Sequence, residues 1–201
     1  MSQPRTLDVS ALPPGAFGSR ALTFWGTLGI VLIEGTAFGL AIGAYFYLAT
    51  RNASWPPDGV SPPDLLWGTL NTVLLLLSIV PNELARRAAE HVDLGRVRLW
   101  MTVCLVFAVA FTVIRVFEFR HVNVWWNRGA YASIVWMLLG LHSTHIVTEL
   151  LESAVLAALI FTGPVEERRF VDVEEGAVYW YFVVLAWLPI YGVVYWAPRL
   201  M

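Results

Sequence analysis

The sequence predicts an all-α, polytopic membrane protein, a helical bundle of five transmembrane helices. Three observations carry that prediction. Of 201 residues, 58% are hydrophobic and 14% charged, with a mean hydropathy of +0.64, whereas soluble domains carry about 25% charged residues. The apolar residues gather into five long runs, and ~20 helical residues at ~1.5 Å each suffice to cross ~30 Å of hydrocarbon. Ten Trp, seven Tyr and eleven Phe exceed what a soluble core of this size needs, and they suit the membrane–water boundary.

The same composition closes off other classes. The net charge is −2 and all thirteen basic residues are Arg, which leaves no polybasic surface for nucleic acid. The single cysteine, Cys104, sits in an apolar run, so neither a disulfide framework nor a thiolate metal cluster is expected.

In chain order, residues 1–21 read as a polar tail containing Pro4, Pro13 and Pro14, without the short apolar core of a cleaved signal peptide. A membrane domain follows over residues 22–198. Its first span, 22–49, is interrupted only by Glu34, and Gly35, Gly39 and Gly43 form two overlapping G-x-x-x-G units. Such a stripe lets another backbone approach closely, within the chain or in a partner subunit. Four prolines (Pro56, Pro57, Pro62, Pro63) mark the next loop, and Asp64 is placed to cap the second span, 65–80. The polar run 82–91 is expected to continue as helix beyond the membrane. Asp93 and Gly95 turn the chain into the third span, 97–117. A Trp-containing loop leads to the fourth, 131–161. A charged loop, 164–175, precedes the fifth, 177–196, which Pro189 should kink.

Orientation follows from the arginines. Arg5, Arg20, Arg86, Arg87, Arg96, Arg98, Arg168 and Arg169 fall on the side of the N-terminus. Arg51, Arg115, Arg120, Arg128 and Arg199 fall on the other. The excess places the N-terminus in the cytoplasm.

The fourth span carries the chemistry. His142, His145, Glu149 and Glu152 lie at offsets of three, seven and ten, within roughly 80° of one another around a helix. Ionisable groups are costly in hydrocarbon, so this face should meet a partner helix, a cavity or a water path. A metal would need matching ligands on a second helix, and no other span offers a His, since His91 and His121 fall in loops. The expectation is no metal, and a hydrogen-bonded cluster of His142, His145 and Glu149. Glu34 has two readings: a proton-holding group beside an uptake path, or a glutamic acid bonded across helices to hold the bundle together. Trp125, Trp126, Tyr179, Trp180 and Tyr181 read as interfacial anchors and lipid-headgroup contacts.

Several motifs, in register over nearly the whole chain, resemble subunit III of the haem-copper cytochrome c oxidases. Tyr131-Ala-Ser with Gly140-Leu-His-Ser-Thr-His145-Ile-Val is similar to that family's tyrosine and G-F-H-G-x-H-V signature. Leu70-Asn-Thr-Val-Leu-Leu-Leu76 resembles its L-N-T-x-x-L-L. Glu34 matches its buried membrane glutamate, and Glu118 the glutamate after its third corresponding helix. The stretch Glu174-Glu-Gly-Ala-Val-Tyr-Trp-Tyr-Phe-Val183, with Trp187, resembles the closing E-x-x-x-Y-W-H-F-V-D-x-x-W, although Tyr181 replaces the His and Val184 the Asp. Larger members carry two further N-terminal helices, so the resemblance is to the short, five-helix bacterial form.

The resemblance implies a non-catalytic integral subunit of a proton-pumping terminal oxidase in a bacterial plasma membrane. Its partners would be the catalytic subunit I, subunit II and membrane lipids. Haem and copper would sit in those partners, none in this chain, with phospholipid as its structural ligand. The sequence agrees: it lacks the several helical His ligands of a haem-copper subunit and the paired cysteines of a copper electron-entry domain. The alternatives are the equivalent subunit of a quinol oxidase or nitric oxide reductase, a small proton-coupled transporter, and an assembly factor. The transporter lacks the internal repeat common in that class.

Overall fold

A computed structural model describes residues 17–163 and 166–201. After a short 3-10 turn, Gly18–Arg20, the chain forms α1 (Leu22–Thr50), α2 (Leu65–Glu90), α3 (Leu94–Arg120), α4 (Ala130–Thr162) and α5 (Glu167–Tyr191). A π-helical turn, Gly192–Trp196, and a final turn, α6 (Ala197–Leu200), continue α5. Five helices are long and apolar enough to cross a membrane, and no strand occurs among the described residues. Most of the expected tail, residues 1–16, lies outside the described residues, as do Pro164 and Val165 of the charged loop.

The helices outrun the expected spans. α2 passes through Pro81 and ends at Glu90, where ion pairs of Arg86 with Glu83 and Glu90, and of Arg87 with Glu83, line its polar end. The charged run before the fifth span is not a loop to residue 175, because α5 begins at Glu167. Local capping sets two starts: the Asp64 side chain accepts from the Leu66 N–H and the Asp93 side chain from the Arg96 N–H. Pro189 removes one backbone donor, and the π turn follows within the same rod.

Packing explains which faces turn inward. In α2 the buried residues Gly68, Asn71, Leu75, Ser78, Asn82 and Ala85 recur at spacings of three and four, one stripe of a helix. That stripe meets α3 and α5, while α1 packs mainly on α4 and α5. Gly68 is required by close approach, since a Cβ there would lie 2.4 Å from the Tyr195 ring. The glycine stripe of α1 behaves differently. Gly35 faces the Phe182 ring, but Gly39 and Gly43 are exposed, with nothing within 4 Å of a Cβ at either position. The chain does not use those two glycines for its own packing.

Candidate functional site

Where α2, α3, α4 and α5 meet, the bundle encloses an ion pair. Arg115 and Glu118, one turn apart on α3, lie 2.9 Å apart with side chains 4% and 1% exposed. Glu118 also accepts hydrogen bonds from the Tyr195 hydroxyl and the Asn71 amide. The Arg115 guanidinium stacks over Trp187, with Cζ 4.2 Å from the ring centroid, and over Phe111 at 4.8 Å. Trp187 in turn donates to the Thr72 hydroxyl at 2.8 Å.

His142 closes the arrangement from α4. Its Nε2 lies 3.0 Å from the Val183 carbonyl, which can only accept, so Nε2 carries the proton. Nδ1 then presents a lone pair to Arg115 Nη2 at 3.1 Å. One neutral tautomer satisfies both contacts. Each charge in this region meets an opposite charge or a hydrogen-bond partner.

The second region lies between α1, α4 and α5. Glu34 accepts from the Tyr179 hydroxyl at 2.7 Å, and its other oxygen lies 3.5 Å from His145 Nε2. His145 Nδ1 is 2.7 Å from the Leu141 carbonyl, which again fixes the proton on that nitrogen. Nε2 and the Glu34 carboxyl are then two acceptors facing one another, an arrangement that is favourable only if they hold a proton between them.

An open cleft of about 730 Å³ runs past this pair, lined by Glu34, Glu149, Glu152, Asp172, Glu175 and Arg169 among others. Glu149 is 5% exposed, and the one hydrogen bond it receives comes from Ser153 at 3.2 Å. It stands between the cleft and an inner cavity of about 50 Å³ lined by Ser78, Asn82, Cys104 and Trp180.

The expected cluster of His142, His145 and Glu149 is therefore not formed. His142 turns to Arg115 and Val183, His145 to Glu34, and Glu149 to Ser153, while Glu152 is exposed. The physical reason is that three different neighbours meet this face along its length.

The aromatic residues divide as well. Trp125 and Trp126 are exposed, and Trp125 stacks on Trp136 with centroids 5.6 Å apart. Trp180 is instead buried and donates to Ser78 at 2.9 Å, and Tyr181 donates to Glu83 at 2.6 Å. Arg115 is the main residue the sequence reading misplaced: counted with the outer loops, it is a buried side chain of α3. Asn71, Ser78, Asn82 and Tyr195 were not singled out, though the three on α2 share its small-residue stripe. Among the described residues no group of three or more His, Cys, Asp or Glu is arranged to hold a metal ion.

Fold and interior together define a multi-pass helical membrane protein organised by ion pairs and hydrogen bonds. The family model for cytochrome c oxidase subunit III matches residues 20–198, a stretch that runs through all five spanning helices. The chain belongs to that family, so it is a subunit of an oxidoreductase complex and not the catalytic centre of one. It is 23% identical over 184 residues to cytochrome c oxidase subunit 3 of Synechocystis sp., covering 90% of this chain and 78% of that one. With the protein of the same name from Alkalihalophilus pseudofirmus it shares 28% over 185 residues, 88% and 86% of the two chains. With cytochrome bo(3) ubiquinol oxidase subunit 3 of Pseudomonas aeruginosa it shares 24% over 181 residues, 89% and 85%. Against several longer relatives it spans only 53% to 66% of their length.

Proposed function

We propose that this chain is the integral, non-catalytic subunit III of a bacterial haem-copper terminal oxidase that reduces oxygen to water and pumps protons. It packs against the catalytic subunit I and subunit II, which hold the haem and copper, and it keeps phospholipid at the interface. The observation that carries this reading is the family match through all five spans, 20–198. The exposed Gly39 and Gly43 support a helix of a partner chain on α1.

The arginine distribution supports a cytoplasmic N-terminus in the plasma membrane. With Arg115 paired inside the bundle, the surface excess on the N-terminal side is larger than the bare count. Glu34, His145 and the carboxyls of the cleft support a part in proton supply on that same side. The relative named as a ubiquinol oxidase subunit supports a quinol-oxidising complex as the second reading.

Purification in mild detergent tests the proposal. Co-migration with a haem-bearing chain at fixed stoichiometry, with an oxidase haem spectrum, is the expected result. A stable, haem-free protein that moves protons alone in liposomes would refute it. Oxidation of cytochrome c or of quinol by the purified complex distinguishes the two donors.

A further inference from the structure

The cleft between α1, α4 and α5 carries more carboxyls than its partners can neutralise. Arg169 is its single lining cation, and it pairs with Asp172 at 3.3 Å. Glu175, Glu152, Glu149 and Glu34 are left without a cationic Lys or Arg partner among the described residues. Helix direction sets their depth. α5 enters at Glu167 and α4 leaves at Thr162, so Asp172 lies toward the mouth, Glu175 and Glu152 deeper, and Glu34 with His145 and Tyr179 near mid-span. An acyl chain would find carboxyls at each of these depths, which hydrocarbon solvates poorly. Water solvates them well.

The second observation is Glu149 itself. It is nine-tenths buried, accepts a single hydrogen bond from its own helix, and lines the cleft with its carboxyl. A buried carboxyl so sparsely bonded needs a further polar neighbour, and the cleft is the space that can hold one. At the cleft's inner end the Glu34–His145 pair needs one proton for two facing acceptors.

We propose that this cleft is a water-filled route by which protons reach the Glu34–His145 pair from the face of the molecule where α1 begins, with Glu152 and Glu149 as carriers along it. A hydronium at the mouth gives its proton to a carboxylate, which becomes a carboxylic acid. That acid passes a proton inward through water and is a carboxylate again. The inner pair gains the proton, and no electron moves. The inference rests on the proton-supply part of the function proposed above. The haem spectrum of the same preparation reports separately on whether the oxidase reading holds.

The test uses the assembled complex with Cys104→Ser and single cysteines at Asp172, Glu152, Ser153 and Thr148. The thiolate is the reacting form and needs water, so a membrane-impermeant thiosulfonate should label the deeper positions within about tenfold of the Asp172→Cys rate. Labelling of Asp172→Cys alone, with the deeper thiols reacting only with a lipophilic maleimide, would assign the cleft to acyl chains and overturn the proposal. Failure of the deeper thiols with both reagents would assign it to a covering chain and overturn it equally. Ser153→Cys is nearly isosteric, so it carries the test if a carboxyl replacement blocks assembly. Proton carriage is read from infrared exchange into D2O of the bands that Glu34→Gln removes. Positioned acid–base groups commonly contribute 10²-fold or more, so Glu149→Gln with Glu152→Gln should slow that exchange by about tenfold or more. An unchanged rate would remove both residues as carriers.

Discussion

The two polar regions of this bundle lie on one face of α4, only seven residues apart, yet they solve opposite problems. Around Arg115 and Glu118 the charges are enclosed by Trp187, Phe111, Tyr195 and His142, and the pair sits at 2.9 Å with almost no exposure. Around Glu149 and Glu152 the carboxyls have no cationic partner, and the space beside them is open. The lesson is one of desolvation. A charge shut away from water persists only against an opposite charge, whereas an unpaired carboxyl persists only beside water or with its proton on.

The largest expected effect breaks the closed region. Arg115→Ala or Glu118→Ala leaves an uncompensated buried charge, a loss of about 3–5 kcal/mol. Each should abolish assembly or lower the detergent melting temperature sharply. Arg115→Met combined with Glu118→Gln removes both charges and should be milder than either single change. If the double variant is the worse, the pair is not what makes the single changes costly.

A smaller loss is expected from His142→Ala. It leaves the Val183 carbonyl and one guanidinium N–H without their partner, at about 1–3 kcal/mol for each buried group left unsatisfied. His142→Asn, which can both donate and accept, should recover part of the melting temperature. No recovery would indicate that the ring's packing on Trp187, not its nitrogens, is what matters.

How much of this could be read from the chain alone depended on whether one helix or several made the feature. The five spans were legible because hydrophobic runs are properties of single segments, and the family's motifs fell in register along them. The stripe of Gly68, Asn71, Ser78 and Asn82 was equally legible, since its spacing of three and four is written in α2 alone. The partners of His142 and His145 were not. Periodicity groups those residues with Glu149, but α3 comes against one end of the face and α1 against another. Arg115 was lost for a related reason. At the edge of a predicted span an arginine reads as a loop residue, and only the packing of α4 and α5 over it shows it enclosed. The i,i+3 spacing to Glu118 was the available signal.

In the open region the effects should be smaller. Tyr179→Phe removes one half-buried hydrogen bond to Glu34 and should cost about 0.5–1.5 kcal/mol, read as a modest fall in melting temperature. Glu149→Gln should cost less still, within about 0.5 kcal/mol, because no charge partner is lost and the amide oxygen still accepts from Ser153. A destabilisation by Glu149→Gln comparable with that of Glu118→Ala would mean that the cleft is closed in the assembled protein.

The separation of the two regions is tested most directly by a double-mutant cycle on His142→Ala and Glu149→Ala, measured as thermal stability of the purified complex. Residues without shared partners add to within about 0.3–0.5 kcal/mol, whereas members of one hydrogen-bonded network couple by about 0.5–3 kcal/mol. Additive losses are the result predicted here, with the His142 change carrying most of the total. A coupling above about 1 kcal/mol would join His142 and Glu149 into a single cluster and contradict the division of the face.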